Sequence, residues 1–281
     1  MTRKYTPVAI AYDFDGTLAP GNMPERDFIP ALKLKPAVFW KKVKEHAEEH
    51  DMDEILAYMD LMLQEAGSKR VKIDRAAFAE YGKKLKLYRG VEKWFVRINE
   101  YGRERKLTVK HYIISSGLRE MIEGTKVAKC FACIFASGFR YDQHMVAKWP
   151  ALAINYTNKT QYLFRINKGI MNSWDNSVIN KYMPDNERPV PFENMIYIGD
   201  GETDIPAMKT VKTLGGRAIA VYPPHKKGAK ERALKLVNAE NRAHAAVLAN
   251  YSDGQPLDKA VKASLDEIAA RRVFKSCAAH T

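Results

Sequence analysis

A doubly wound, parallel α/β sheet with a separate helical lobe is the architecture this 281-residue sequence predicts, on three observations. Four short runs are apolar throughout rather than alternating, which places them in strands covered on both faces. Helical stretches separate those runs, so successive strands run parallel through crossover helices. Residues 20–106 switch to Lys- and Glu-rich helical periodicity without a strand of weight, which marks them as an insertion. The expected division is a Rossmann-like core of residues 1–19 and 107–281 and a helical lobe of residues 20–106.

The first strand is Val8-Ala9-Ile10-Ala11-Tyr12, stopped by the polar residues and glycine of Asp13-Phe14-Asp15-Gly16-Thr17. Inside the insertion, Pro36 to His50 and Asp53 to Leu63 carry helical apolar spacing. An insertion that follows the first strand lies over the carboxyl ends of the sheet strands, where a lid belongs. Further strands are expected at Tyr112-Ile113-Ile114 before Ser115-Ser116-Gly117, at Met195-Ile196-Tyr197-Ile198 before Gly199-Asp200-Gly201, and at Arg217 to Val221. Asp266 onward reads as a closing helix, with a frayed tail from Ser276.

Bulk properties narrow the function. The formal charge of +13, from 46 basic and 33 acidic residues, would draw a polyanion and equally a small phosphorylated substrate toward a cleft. The densest basic run, His225 to Arg232, lacks the interleaved aromatics of a single-strand platform and reads as a solvated helix start, which argues against nucleic acid as a partner. No window approaches the roughly twenty apolar residues of a membrane helix, and the N-terminus has no apolar signal core, so a cytoplasmic protein without a membrane partner is expected. Three cysteines are too few for a disulfide scaffold, and Cys130-x-x-Cys133 has no second pair or nearby His to complete a zinc site.

The chemistry concentrates at the strand ends. Asp13 and Asp15 put two carboxylates at the sheet edge, where one could attack while the other handles protons. Asp200 and Asp204, four apart at a glycine-bounded turn, would share one face of a starting helix. Carboxylates gathered at one spot repel unless a cation sits among them, and a hard oxygen donor set suits Mg²⁺. Each piece has a plainer reading by itself: a calcium-type or ordinary turn for the aspartate motifs, a helix N-cap for Ser115, a solvated side chain for Lys159.

Together and in order they resemble the haloacid dehalogenase superfamily. Asp13-Phe14-Asp15-Gly16-Thr17 is similar to its nucleophile motif, followed by Ser115 after a strand, Lys159 in Thr157-Asn158-Lys159-Thr160-Gln161, and Gly199-Asp200-Gly201-Glu202-Thr203-Asp204. The resemblance covers residues 7–19 and about 107–222, and the position of the insertion is that of the C1-type cap of phosphoserine phosphatase and its relatives. It implies that Asp13 becomes a phosphoaspartate, that Asp15 is the general acid and base, and that Mg²⁺ is held by the Asp13 carboxylate, the Asp15 carbonyl and Asp200, with Asp204 in or near the shell. It further implies that Ser115, the amides of Ser116 and Gly117 at a helix start, and Lys159 bind the phosphoryl group. The implied activity is magnesium-dependent hydrolysis of a small phosphomonoester. A phosphotransferase or mutase using the same aspartyl-phosphate is the alternative, and a non-catalytic nucleic-acid-binding protein a further one. The chain departs from that subgroup in Gly16, where serine is common, in a longer stretch between Lys159 and Asp200, and in lacking a clear counterpart of the cap Glu and Arg that grip serine.

Overall fold

A computed structural model describes residues 5–224 and 226–278. Strand β1 (Thr6–Tyr12) is the first apolar run, and a 3-10 turn at Met23–Glu25 leads from it into the inserted helices. These are α1 (Phe28–Ala31), α2 (Pro36–His50), α3 (Glu54–Lys69) and α4 (Arg75–Lys83). There follow α5 (Val91–Glu104), β2 (Leu107–Leu118), α6 (Arg119–Glu123), β3 (Phe131–Tyr141), β4 (Ala147–Leu152) and α7 (Lys159–Lys168). The chain continues through β5 (Met195–Gly199), α8 (Ile205–Thr213), β6 (Arg217–Tyr222), α9 (Ala229–Asn238), β7 (Ala245–Leu248) and α10 (Pro256–Ala278). Local chemistry sets the helix ends. The Asp53 carboxylate accepts from the Ile55 and Leu56 amides at the start of α3, Asp74 does the same for Ala77 in α4, and Pro36 opens α2.

The strands form one sheet in the order β4-β3-β2-β1-β5-β6-β7, parallel except for the β3–β4 pair. β1 lies between β2 and β5 and is parallel to both, so the strand order departs from it in two directions. That reversal opens the crevice at the carboxyl end of β1 and β5 where ligands of doubly wound folds sit. β1 is buried on both faces: Val8, Ile10 and Tyr12 enter one apolar cluster, while Ala9 and Ala11 face another that contains Tyr162 of α7 and Met208 of α8. Three strands, β3, β4 and β7, were not expected from the sequence. β3 and β4 mix exposed and buried positions, and β7 is four half-buried residues, so none makes a continuous apolar run.

Residues 20–106 divide differently from the expected lobe. Helix α5 lies against β2 and α10, and its Trp94 indole donates to the Tyr12 hydroxyl of β1 at 2.8 Å. It therefore serves as the crossover helix of the first βαβ unit, because parallel β1 and β2 need a covering connection of this kind. The lobe over the site is built from α1 to α4. Its Phe28, Phe39, Met62 and Phe78 are buried in the same cluster as Val8 and Ile10. Each such side chain contributes roughly 1.5–3 kcal/mol of burial, so apolar packing outweighs the exposed Arg75–Glu123 ion pair in fixing the lobe, since such pairs contribute about 0–1 kcal/mol. Between α4 and α6 two glycines permit backbone contact, for a Cβ on Gly82 would stand 1.9 Å from the Met121 carbonyl oxygen and one on Gly124 2.0 Å from that of Ala79. The closing helix begins at Pro256 rather than Asp266 and runs to Ala278; residues 279–281 of the expected tail lie outside the described residues. No helix among the described residues is long and apolar enough to cross a membrane.

Candidate active site

Asp13 follows β1 directly, and its amide donates to the Ile198 carbonyl of β5 at 3.0 Å, which ties the two strand ends together. Asp200 follows β5, so the sheet register alone brings these carboxylates to one crevice. Oxygen atoms of Asp13, Asp200 and Asp204 lie within 4.8 Å of one another. Lys159, at the start of α7 and wholly buried, reaches Asp13 Oδ1 at 3.2 Å and Asp204 Oδ1 at 2.7 Å. Three of the four distant segments singled out in the sequence thus converge, and the fourth, Ser115, lines the same cavity as Asp13 and Asp200.

Asp204 plays a different part from Asp200. It does not share a helix face with it: Glu202–Asp204 is a 3-10 turn and α8 begins only at Ile205. The Asp204 carboxylate folds back instead. Its Oδ2 accepts from the amides of Asp200 and Gly201 at 3.1 and 3.2 Å, and its Oδ1 accepts from Lys159 and from the Tyr197 hydroxyl, each at 2.7 Å. Both oxygens are engaged, so this carboxylate fixes the loop that presents Asp200 and holds Lys159 in place. The Lys159 ammonium also donates to Thr203 Oγ1 at 3.2 Å. Burial alone would favour its neutral form, but the charges of Asp13 and Asp204 outweigh that and hold it protonated.

The remaining carboxyls stand high because they are buried close to one another. Burial pushes Asp13 up to about 6 against the pull of Lys159, with Asp204 adding to the rise. Burial followed by the charges of Asp13 and Asp204 pushes Asp200 up to about 8. Asp15 lies well above the usual carboxylate range, through burial first and the neighbouring Asp13 second. Its Oδ1 accepts from the Met23 amide at 3.0 Å, which aims the carboxyl across the loop that leads into the lobe. Thr17 Oγ1 donates to Asp200 Oδ1 at 3.4 Å.

Ser115, Ser116 and Gly117 belong to the end of β2, not to a helix start; α6 begins at Arg119. The Gly117 amide is taken by Ser115 Oγ at 3.1 Å, which leaves the Ser115 hydroxyl hydrogen to donate elsewhere. Ser116 Oγ is buried with no partner among the described residues, and so is the Tyr88 hydroxyl. Both residues line a cavity of about 480 Å³ that also touches Asp13, Asp15, Ser115 and Asp200. A buried hydroxyl without a partner costs roughly 1–3 kcal/mol, so two of them at one cavity indicate that a polar ligand completes them.

The lobe closes this cavity with Glu25, Trp40, Glu54, Ile55 and Tyr58, and the sheet side adds Tyr88, Tyr156 and Lys226. Among the lobe's side chains, Glu25 and Tyr58 reach the cavity; Met62 is buried in the lobe's core and Arg75 pairs with Glu123 outside it. Trp40, Glu54, Tyr88 and Tyr156 carried no sequence signal, since each lies in a helix or loop whose tilt toward the crevice only tertiary packing sets. Lys226 belongs to the run read as a solvated helix start; α9 in fact begins at Ala229 and Lys226 stands at the cavity. His225 lies outside the described residues. Lys168, at the far end of α7, is used up on the carbonyls of Ile179 and Lys181.

The family model for haloacid dehalogenase-like hydrolase matches residues 10–209, which includes every residue of the cluster. An uncharacterised protein of Borreliella burgdorferi is 28% identical over 284 residues, spanning 92% of this chain and 96% of its own length. A solved haloacid dehalogenase family hydrolase of Salmonella enterica serovar Typhi has a TM-score of 0.53 at 19% identity, covering 82% of this chain and 71% of its own. A phosphoserine phosphatase solved as a phospho-aspartyl intermediate analogue has a TM-score of 0.53 at 16% identity, covering 92% of this chain and 98% of its own. At these identities the solved structures speak to the fold.

Proposed function

The chain belongs to the haloacid dehalogenase-like hydrolases, and from that premise we propose that it is a magnesium-dependent phosphomonoesterase working through a phosphoaspartate on Asp13. The observation that carries the reading is the buried meeting of Asp13, Asp200, Asp204 and Lys159 beside Asp15, whose carboxyl burial holds well above the usual range. The donor set fits a hard divalent cation. It is all oxygen, and the burial and mutual repulsion that raise Asp13 and Asp200 are what a cation among them would offset. Asp13, Asp200 and the Asp15 carbonyl would hold Mg²⁺, with Asp204 behind Asp200. When bound, the ion supplies neutralisation of the charge that otherwise keeps a phosphate from a carboxylate.

An Asp13 oxygen attacks phosphorus in line; the bond from phosphorus to the ester oxygen breaks, and the Asp15 proton goes to the departing alcohol. Asp15, now ionised, takes a proton from water as that water attacks the phosphoaspartate. The phosphorus–Asp13 bond then breaks, releasing phosphate and restoring both carboxyls. Ser115, Ser116 and Tyr88 offer hydroxyl donors to the phosphoryl oxygens, and Lys159 keeps Asp13 ionised and aligned.

Asp13→Asn, nearly isosteric, is expected to lower phosphate release from p-nitrophenyl phosphate by at least 10³-fold, roughly the scale of losing an essential group, with an unchanged circular dichroism spectrum. Excess chelator is expected to stop the parent enzyme, with Mg²⁺ restoring it. Parent-level release by Asp13→Asn ends the mechanism. Loss of ester without free phosphate, with phosphate appearing on an added alcohol, would make the protein a transferase.

A further inference from the structure

The cavity has two chemically different ends. At the sheet end lie the aspartates, Lys159 and Lys226, whose charge acts on Asp200. At the lobe end, among the described residues lining the cavity, there is no cation: Glu25 and Glu54 stand there with the rings of Trp40 and Tyr58. Lys226 is the one cation among the described lining residues, and it serves the sheet end.

Details of the lobe end sharpen this contrast. Trp40 Nε1 donates to Glu25 Oε1 at 2.7 Å, and the Tyr58 hydroxyl donates to the Ser116 carbonyl at 3.0 Å. Both aromatic side chains have therefore spent their donor hydrogens on the protein and offer a ligand their rings. Those rings meet at 65° with centroids 5.9 Å apart, forming a corner. Glu25 is held by two donors on the same oxygen, Trp40 and Asn22 Nδ2, the latter also at 2.7 Å. Its Oε2 accepts no hydrogen bond from a described residue, and its charge is close enough to act on Asp15, the residue facing the leaving oxygen. A fixed carboxylate beside an aromatic corner is the setting that retains a cationic nitrogen, through charge and cation–π attraction together. The same setting repels a carboxylate or a second phosphate on the leaving group.

We infer that the ester cleaved here is a phosphorylated amino alcohol whose leaving group carries a cationic nitrogen and no acidic group, with Glu25 and Trp40 setting the specificity. This rests on the phosphomonoesterase reading of the same site. An ammonium would donate to Glu25, whereas a quaternary ammonium would rely on the rings and charge alone.

The test compares kcat/KM with Mg²⁺ for O-phosphoethanolamine, phosphocholine, O-phospho-L-serine, glycerol 3-phosphate and p-nitrophenyl phosphate, in the parent and in Glu25→Gln. At least one of the first two esters should exceed phosphoserine and glycerol 3-phosphate by 10-fold or more, and which one wins identifies the nitrogen. Glu25→Gln should shrink that ratio by 10-fold or more, chiefly through KM; if this variant does not fold, Trp40→Leu must shrink it. Calorimetry on Asp13→Asn should show the same order of ester affinities without turnover. Equal or better use of phosphoserine or glycerol 3-phosphate overturns the specificity, while Asp13-dependent cleavage of p-nitrophenyl phosphate in that case leaves the phosphomonoesterase reading standing. No cleavage of any ester removes both.

Discussion

Gly16 sits at φ +75°, and a Cβ built there would lie 2.1 Å from Asp200 Oδ2. The left-handed backbone costs a non-glycine residue roughly 1–2 kcal/mol, and the contact would displace the carboxylate besides. Gly16→Ser, the residue common in the phosphoserine phosphatase subgroup, is therefore expected to weaken Mg²⁺ binding by 10-fold or more, read by calorimetry. Unchanged affinity would mean that Asp200 has room to move. Lys159 is the second residue on which the site depends. Its side chain is buried between two carboxylates, so Lys159→Met leaves Asp13 and Asp204 facing each other without compensation. Removing one partner of such a buried set costs roughly 3–5 kcal/mol, measurable as a lower urea midpoint of the metal-free protein. The Lys159 role was legible only through its place in the order of motifs, since nothing local separates a buried lysine at a helix start from a solvated one.

At the scale of elements, β1, β2 and α5 are joined by a buried polar chain. Trp94 Nε1 donates to the Tyr12 hydroxyl, that hydroxyl meets His111 Nδ1 at 2.9 Å, and His111 Nε2 meets Asn99 Oδ1 at 3.1 Å. Full satisfaction of a neutral imidazole explains how it survives in the core, where burial pushes its pKa down from 6.5 to about 3. Because the folded value is depressed, the folded protein stays neutral here while the unfolded chain takes up a proton below about pH 6.5. Stability from this group is fully present above pH 6.5 and is lost as the pH falls from there toward 3. The slope is about 1.4 kcal/mol per pH unit. His111→Gln should remove one proton's worth of that slope between pH 6.5 and 5 in urea titrations, and an unaltered slope would show that the imidazole already titrates in the folded state. The chain Tyr12–His111 also explains why α5 belongs with the sheet, although its lysine- and glutamate-bearing sequence reads as more of the inserted lobe.

For the whole molecule, the lobe and the sheet meet at the site through few but specific bonds. Tyr58 reaches Ser116, Met23 reaches Asp15, and Asn155 donates to Asp53 at the start of α3. A cation seated among Asp13 and Asp200 would therefore tighten strand ends, loop and lobe at once. Binding only to the folded state at 100 times Kd contributes about 2.7 kcal/mol, a rise of several degrees in Tm. Scanning calorimetry with Mg²⁺ against chelator should show that rise, and Asp200→Asn should abolish it. An equal rise in the variant would place the ion elsewhere.

The sequence by itself determined the sheet's central strands and which residues meet at their ends: short unbroken apolar runs stopped by glycine and polar residues read as buried strands, and parallel strands bring the residues that end them to one edge of the sheet. Asp13, Asp15, Ser115, Lys159, Asp200 and Asp204 were all legible on that ground together with their order. Tertiary structure alone decided what each side chain touches there. The Asp204 oxygens meet amides of the loop after β5, the Tyr197 hydroxyl of β5 and Lys159 of α7, so Asp204 braces the loop while standing within reach of a cation shared with Asp13 and Asp200. The Ser116 and Gly117 amides were displaced from a helix start to a strand end. The substrate side of the cavity could not be placed from sequence, because Trp40, Tyr58, Tyr88 and Glu25 come from separate turns of chain whose approach depends on how the lobe packs. A one-dimensional pattern records which residues are buried; it does not record which distant side chains share a cavity.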